Sequence, residues 1–201
     1  MSDGGIMIAA QLAETRRVVE AMAADQKLCA TLSAAAAAWV ACLQKGGKIL
    51  LAGNGGSAAD AQHVAAELVG RFAFDRPGLP AVALTTDTSI ITAVGNDYGF
   101  ERLFARQVQA LGARGDVLVG YSTSGASANV LQALETARAG GLVTVGLTGA
   151  QGGDGPMVKL CDYLLVVPAE NTAKIQEGHL MLGHIICGLV ENAIFGDQAI
   201  E

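Results

Sequence analysis

Five short apolar runs constrain this chain more than any other feature: KILLAG at 48–53, AVAL at 81–84, DVLVGY at 116–121, LVTVGL at 142–147 and DYLLVV at 162–167. Each is shorter than an ordinary helix, and several close on or run into Gly and Ser, so they read as buried strands. The stretches at 57–71, 87–95, 100–112, 127–139 and 173–195 carry apolar residues at helical spacing. That alternation predicts an α/β, doubly wound (Rossmann-like) fold, a five-stranded parallel sheet flanked on both faces by helices. Ahead of the first strand, residues 5–45 read as two N-terminal helices. Their apolar positions are Ile8, Leu12, Val18, Val19 and Met22, then Leu28, Leu32, Trp39, Val40 and Leu43. No linker or repeat divides the 201 residues, so a single domain over 1–201 is expected.

Composition removes several function classes. A formal net charge of -6 and the absence of a basic run argue against a nucleic-acid surface, so any bound anion must be held by local donors. The Ala-rich segment ATLSAAAAAWVACLQ is short and polar-flanked, which suits a packed helix rather than a membrane span. MSDGGIMIAAQLAETRR lacks the basic region, apolar core and cleavage site of an export signal, so a cytoplasmic location is expected. Cys29, Cys42, Cys161 and Cys187 are scattered among apolar neighbours and read as buried small hydrophobes, neither disulfides nor a thiolate metal site.

In open parallel sheets ligands collect beyond the carboxyl ends of strands, where loops expose backbone N–H groups and helices present positive dipole ends. Two loops hold that position. The first is Gly53-Asn54-Gly55-Gly56-Ser57, with Ser57 and Asp60 forming an S-x-x-D helix-start signal. The second, Ser122-Thr123-Ser124-Gly125-Ala126-Ser127, places four hydroxyls in six residues directly after a strand. Hydroxyls and amides can wrap a phosphate monoester without Lys or Arg. Either loop alone would read as turns and caps; the strand–loop–helix context occurring twice favours anion binding. Neither matches a dinucleotide fingerprint or a P-loop, so a sugar phosphate fits better than a nucleotide.

Beyond the first loop, His63 and Glu67 stand four apart, on one helical face, where they can bind a metal or handle protons. In isolation the pair would be an ordinary local hydrogen bond, but it lies along the same helix about 9 to 15 Å from the proposed anion. The C-terminal segment TAKIQEGHLMLGHIICGLVENAIF is apolar almost all round, as a helix at a subunit interface would be, and holds Gln176, His179 and His184. Spacing does not choose between the two histidines. His179 is three residues from Gln176, and His184 is eight away, about 12 Å along a continuous helix.

The segments GGKILLAGNGGSAADAQHVAAELVGRF, RPGLPAVALTTDTS, VGNDYGFERLFARQV, GDVLVGYSTSGASANVLQAL and KIQEGHLMLGHIICGLVE resemble the bacterial phosphoheptose (sedoheptulose 7-phosphate) isomerases of the sugar isomerase (SIS) domain group, over essentially the whole chain. The resemblance implies the SIS fold and a cytoplasmic homotetramer with active sites between subunits, residues 1–45 packing on the domain and on neighbouring subunits. It implies that Asn54, Gly55, Gly56 and Ser57 line the substrate site, that Ser122, Thr123, Ser124 and Ser127 close around the phosphate, and that Asn96 and Asp97 reach the sugar hydroxyls. Composition alone reads Asn96 and Asp97 as a turn. It implies a zinc site of His63, Glu67, Gln176 and His184, one ion per subunit, choosing His184 where spacing is undecided. Glu67 and Gln176 also touch the substrate. Gln176 is the least ordinary zinc ligand, and its distance from His184 would be relieved by a helix starting after Gln176 or by ligands from different chains.

The implied reaction converts sedoheptulose 7-phosphate to D-glycero-D-manno-heptose 7-phosphate, the first step of activated heptose synthesis for lipopolysaccharide core. Moving a proton between C1 and C2 needs a base at carbon and an acid at oxygen. Glu67 and His184 are assigned those roles, with zinc as Lewis acid. The competing reading is a non-catalytic SIS-domain adaptor, such as a replication-initiator-associating protein, or a sugar-phosphate sensor. The joint presence of Glu67, Gln176 and His184 favours the enzyme.

Overall fold

The computed structural model describes residues 3–196. Two helices, α1 (Asp3–Ala24) and α2 (Gln26–Gln44), precede β1 (Ile49–Ala52), and α3 (Gly56–Val69) leads to β2 (Ala81–Ala83). Helices α4 (Thr88–Tyr98) and α5 (Leu103–Leu111), joined by a 3-10 turn, lead to β3 (Val117–Tyr121). After α6 (Ala128–Gly140) come β4 (Val143–Gly149), β5 (Tyr163–Val167) and α7 (Thr172–Phe195). All five strands pair in parallel in the order β2-β1-β3-β4-β5, as the alternation predicts. Only 3-10 turns at 150–152 and 156–159 bridge β4 and β5.

Period-two alternation distributes the strand residues to two cores. Ile49, Leu51, Val117, Val119 and Tyr121 face the side carrying α1, α2, α3 and α7, while Leu50, Ala52 and Leu118 face α4, α5 and α6. Strands β1 and β3 are buried throughout, the mark of central parallel strands covered on both faces. Asp25, Asp87 and Asn171 start α2, α4 and α7 by accepting the backbone N–H groups of Leu28, Ile90 and Ala173. Helices α2 and α7 are long and apolar enough to cross a bilayer, yet both bury residues against the sheet, among them Trp39, Ile186 and Val190.

Three local expectations are corrected. Cys42 and Cys187 are buried, but Cys29 is exposed and Cys161 only half-buried; α2 turns the stripe of Leu28, Leu32, Ala35, Ala36 and Trp39 inward, and Cys29 falls outside it. Ser57 is not the cap of α3. Gly55 is, at φ +56°, and Ser57 is buried inside the first turn, its N–H donating to the Asn54 carbonyl at 3.0 Å. The turn expected at VGNDYG is the last part of α4, which runs on until Gly99, at φ +87°, ends it.

Candidate active site

The strand order reverses direction between β1 and β3, and an open sheet leaves a crevice for ligand at that switch. The loops following these two strands are Gly53–Gly55 and Ser122–Ser127. They are tied together by a reciprocal amide pair: Asn54 Nδ2 donates to Asn129 Oδ1 at 2.9 Å, and Asn129 Nδ2 donates to Asn54 Oδ1 at 2.8 Å. Asn129, 3% exposed in the first turn of α6, is the residue sequence reasoning missed. The signal was an Asn two positions beyond a serine-rich loop, but its partner lies 75 residues away.

Within the second loop, Gly125 takes φ +68°, a conformation that costs glycine least. The Ser122 and Ser127 hydroxyls lie 2.8 Å apart, and the Ala126 N–H donates to Ser124 Oγ at 3.2 Å. Thr123 and Ser124 line a small cavity of about 70 Å³ with Gln151, Glu170, Thr172 and Ile175. Both α3 and α6 start at these loops, and the first amides of a helix have no intrahelical acceptor, so both helix starts offer donors to an anion.

Two turns along α3, His63 and Glu67 meet His184 of α7. His63 Nε2 lies 2.7 Å from His184 Nε2 and 3.3 Å from Glu67 Oε1. Ligand atoms of the three residues all fall within 4.8 Å of one another. Tetrahedral zinc with bonds of about 2.0–2.2 Å holds its ligand atoms roughly 3.3 Å apart. The two imidazoles and one carboxylate therefore suit a metal ion in both chemistry and spacing.

Helix α7 begins at Thr172, so Gln176 and His184 share one continuous helix. A start after Gln176 is ruled out. Gln176 lies against the first turn of α3: a side chain on Gly56 would come within 2.7 Å of both polar atoms of its amide. The amide thus stands at the first loop, while His184 stands at the trio. His179 is fully buried, with its ring edge toward Tyr121, and burial pushes its pKa down to about 4 against the pull of the Thr148 backbone. Asp60, one turn before His63, has its pKa raised by burial, against the opposing charge of His63. Asn96 and Asp97 are exposed on α4, where Asn96 Nδ2 donates to Asp97 Oδ1 at 2.7 Å; no described hydrogen bond joins them to either loop.

Residues 12–149 match the SIS domain family. A phosphoheptose isomerase of Burkholderia pseudomallei is 66% identical over 93% of this chain and 94% of its own length. The solved structure of phosphoheptose isomerase from Neisseria gonorrhoeae superposes with a TM-score of 0.86 at 47% identity, covering 94% of this chain and 98% of that one. A phosphoheptose isomerase from Francisella tularensis gives a TM-score of 0.89 at 39% identity, covering 96% and 100%. The switch-point crevice, its two glycine–serine loops and the His–Glu–His trio are thus carried by a chain that belongs to the SIS domain family and, within it, to the phosphoheptose isomerases.

Proposed function

We propose that this chain isomerises sedoheptulose 7-phosphate to D-glycero-D-manno-heptose 7-phosphate through an enediol, supplying activated heptose for lipopolysaccharide core. The observation that carries the reading is the Asn54–Asn129 pair, which joins the two anion-binding loops above a helix that also bears His63 and Glu67. The phosphate sits among Ser122, Thr123, Ser124 and Ser127 and the amides of Gly55 and Gly56, with Ser57 lining the site beside them. Seven residues of α3, about 10 Å, separate Gly56 from His63, a span suited to an extended seven-carbon chain. Asn54 lines the site, Asn96 and Asp97 reach the sugar hydroxyls, and Gln176 touches the substrate.

Glu67 takes the proton from C1 as His184 gives one to O2, forming the enediol. Glu67 then returns its proton to C2 while His184 recovers one from O1, so both groups end as they began. Zinc, if held by His63, Glu67 and His184, would supply Lewis-acid stabilisation of negative charge on the sugar oxygens; Gln176, expected as the fourth ligand, has its amide at the first loop instead. The adaptor and sensor readings leave that trio without a purpose and are not favoured.

Exposed Ile6, Met7, Ile8 and Leu12 on α1, with Ile185 and Leu189 on α7, support a homotetramer in which residues 1–45 pack on the single domain and on neighbouring subunits. We place the enzyme in the cytoplasm, free of membrane and nucleic acid. The test is Glu67→Gln: it binds sedoheptulose 7-phosphate by calorimetry but turns it over at least about 100-fold more slowly. Near-normal turnover would remove Glu67 from the reaction.

A further inference from the structure

A second constellation lies at the other end of α3, outside the substrate crevice. Arg76, in the loop following that helix, and Glu191, near the end of α7, are each 2% exposed and paired at 2.9 Å through Arg76 Nε. Glu191 also accepts the backbone N–H groups of Phe72 and Ala73, at 2.9 and 2.7 Å. Arg76 Nη1 donates to the carbonyls of Leu68, Gly70 and Pro77. Its Nη2 donates to the backbone carbonyl of Glu67 at 2.8 Å. The ring of Phe72 lies 5.7 Å from that of His184, tilted by 45°.

These contacts bear on the trio because its members come from two helices. Glu67 is on α3 and His184 on α7, so the base–acid distance depends on how the helices sit together. Lateral approach is set by Gly183, where a side chain would come within 2.7 Å of Val64. Lateral contact alone does not stop one helix sliding along the other. Glu191 stands seven residues beyond His184, on the same face and about 10 Å along the axis, which puts the Arg76 clasp where it resists that sliding. The last carbonyls of a helix have no intrahelical donor. At this end the Gly70 N–H takes Ala66, the Leu79 N–H takes Leu68, and Arg76 takes the carbonyl of Glu67 itself.

We infer that Arg76, Glu191 and Phe72 are positioning residues: the buried ion pair fixes the register of α3 against α7 and the backbone of Glu67, and the Phe72 ring fixes the rotation of the His184 imidazole. None of the three touches substrate. The kinetic part of the inference rests on the isomerase reading; the metal-binding part does not. A guanidinium reaches five acceptors from one plane, whereas an ammonium keeps the charge and loses the fork, so Arg76→Lys is the informative change.

The test compares Arg76→Lys and Phe72→Leu with the wild type, using Asp116→Asn as a stability control. Asp116 pairs with Lys48 at the opposite, amino-terminal edge of the sheet. Both positioning variants should lose about tenfold or more in kcat with KM for sedoheptulose 7-phosphate nearly unchanged, and weaken zinc binding, measured by chelator competition, by about tenfold or more. Asp116→Asn should lower the unfolding temperature while leaving kcat and zinc affinity in place. If Arg76→Lys fails to fold, Phe72→Leu decides, because it keeps both backbone bonds to Glu191. Folded variants with wild-type kcat and zinc affinity, or a loss matched by the control, would overturn the inference. A wild type that binds zinc without turning over this substrate would sink the isomerase reading alone, and zinc competition would still judge the clasp. A wild type with neither property leaves nothing to be positioned, and the inference falls.

Discussion

Asn129 shows what one side chain contributes here. Its amide satisfies Asn54 in both directions, and truncation leaves Asn54 in place with a donor and an acceptor unpaired, at a cost of about 1–3 kcal/mol. Because that pair joins the two loops proposed to hold the phosphate, Asn129→Ala should raise KM about tenfold while kcat changes little, as steady-state kinetics with sedoheptulose 7-phosphate would show. The chemistry-bearing types at His63, Glu67, Ser122, Ser124 and Ser127 could be read from the sequence, since a loop or one helix turn brings them together. The partners of Asn54 and Glu191 could not. Those pairings span 75 and 115 residues, and no local pattern encodes which buried amide or guanidinium arrives there. Ser57 departs from its sequence pattern for a related reason: a serine ahead of a helix looks like a cap, but a glycine with positive φ two positions earlier starts the helix on backbone alone.

At the level of elements, exposure decides which contacts matter. Asp25 caps α2 from an exposed position, and Asp25→Ala should cost about 1 kcal/mol. Glu191→Ala removes one member of a buried ion pair and strands Arg76, and should cost about 3–5 kcal/mol. Denaturant titration of the two variants should rank them in that order, and a reversed ranking would contradict the burial argument. Every strand and every helix of the described chain was foreshadowed by its apolar spacing, because central strands must be apolar on both faces and surface helices on one. Boundaries moved where a cap or a positive-φ glycine overrode the pattern, as at α4, which starts on Asp87 and runs on to Gly99. Lys174 is buried on α7 with its ammonium bonded to Glu177 and Thr15, which fastens α1 to α7; apolar periodicity says nothing about such a tie.

For the whole molecule, the buried ionisable groups divide the acid response into two windows. His179 has a folded pKa of about 4 against 6.5 unperturbed, so as pH falls from 6.5 toward 4 the unfolded chain takes a proton that the native core refuses. Native stability then drops by up to about 3 kcal/mol. Burial alone would raise the pKa values of Asp116 and Glu191, but Lys48 and Arg76 with neighbouring backbone amides hold both below the ordinary range. Their contribution is present at neutral pH and lost only at lower pH, once the unfolded carboxylates protonate. Thermal unfolding of the chelator-treated protein at pH 7.5 and 5.0 should therefore show a decline that His179→Leu largely abolishes. An equal decline in that variant would assign the window to other groups.

Asp116 also accepts from the N–H of Lys48 and of Ala113, so the amino edge of the sheet is laced by a carboxylate facing away from every proposed substrate contact. This tie and the proposed substrate site therefore occupy opposite rims of the sheet. Loop exchange between relatives at 53–57 or 122–127 should yield folded chimaeras with altered affinity for the phosphate, whereas grafts across residues 46–48 or 113–116 that lose the bonds of Asp116 to Lys48 and Ala113 should lower the unfolding temperature.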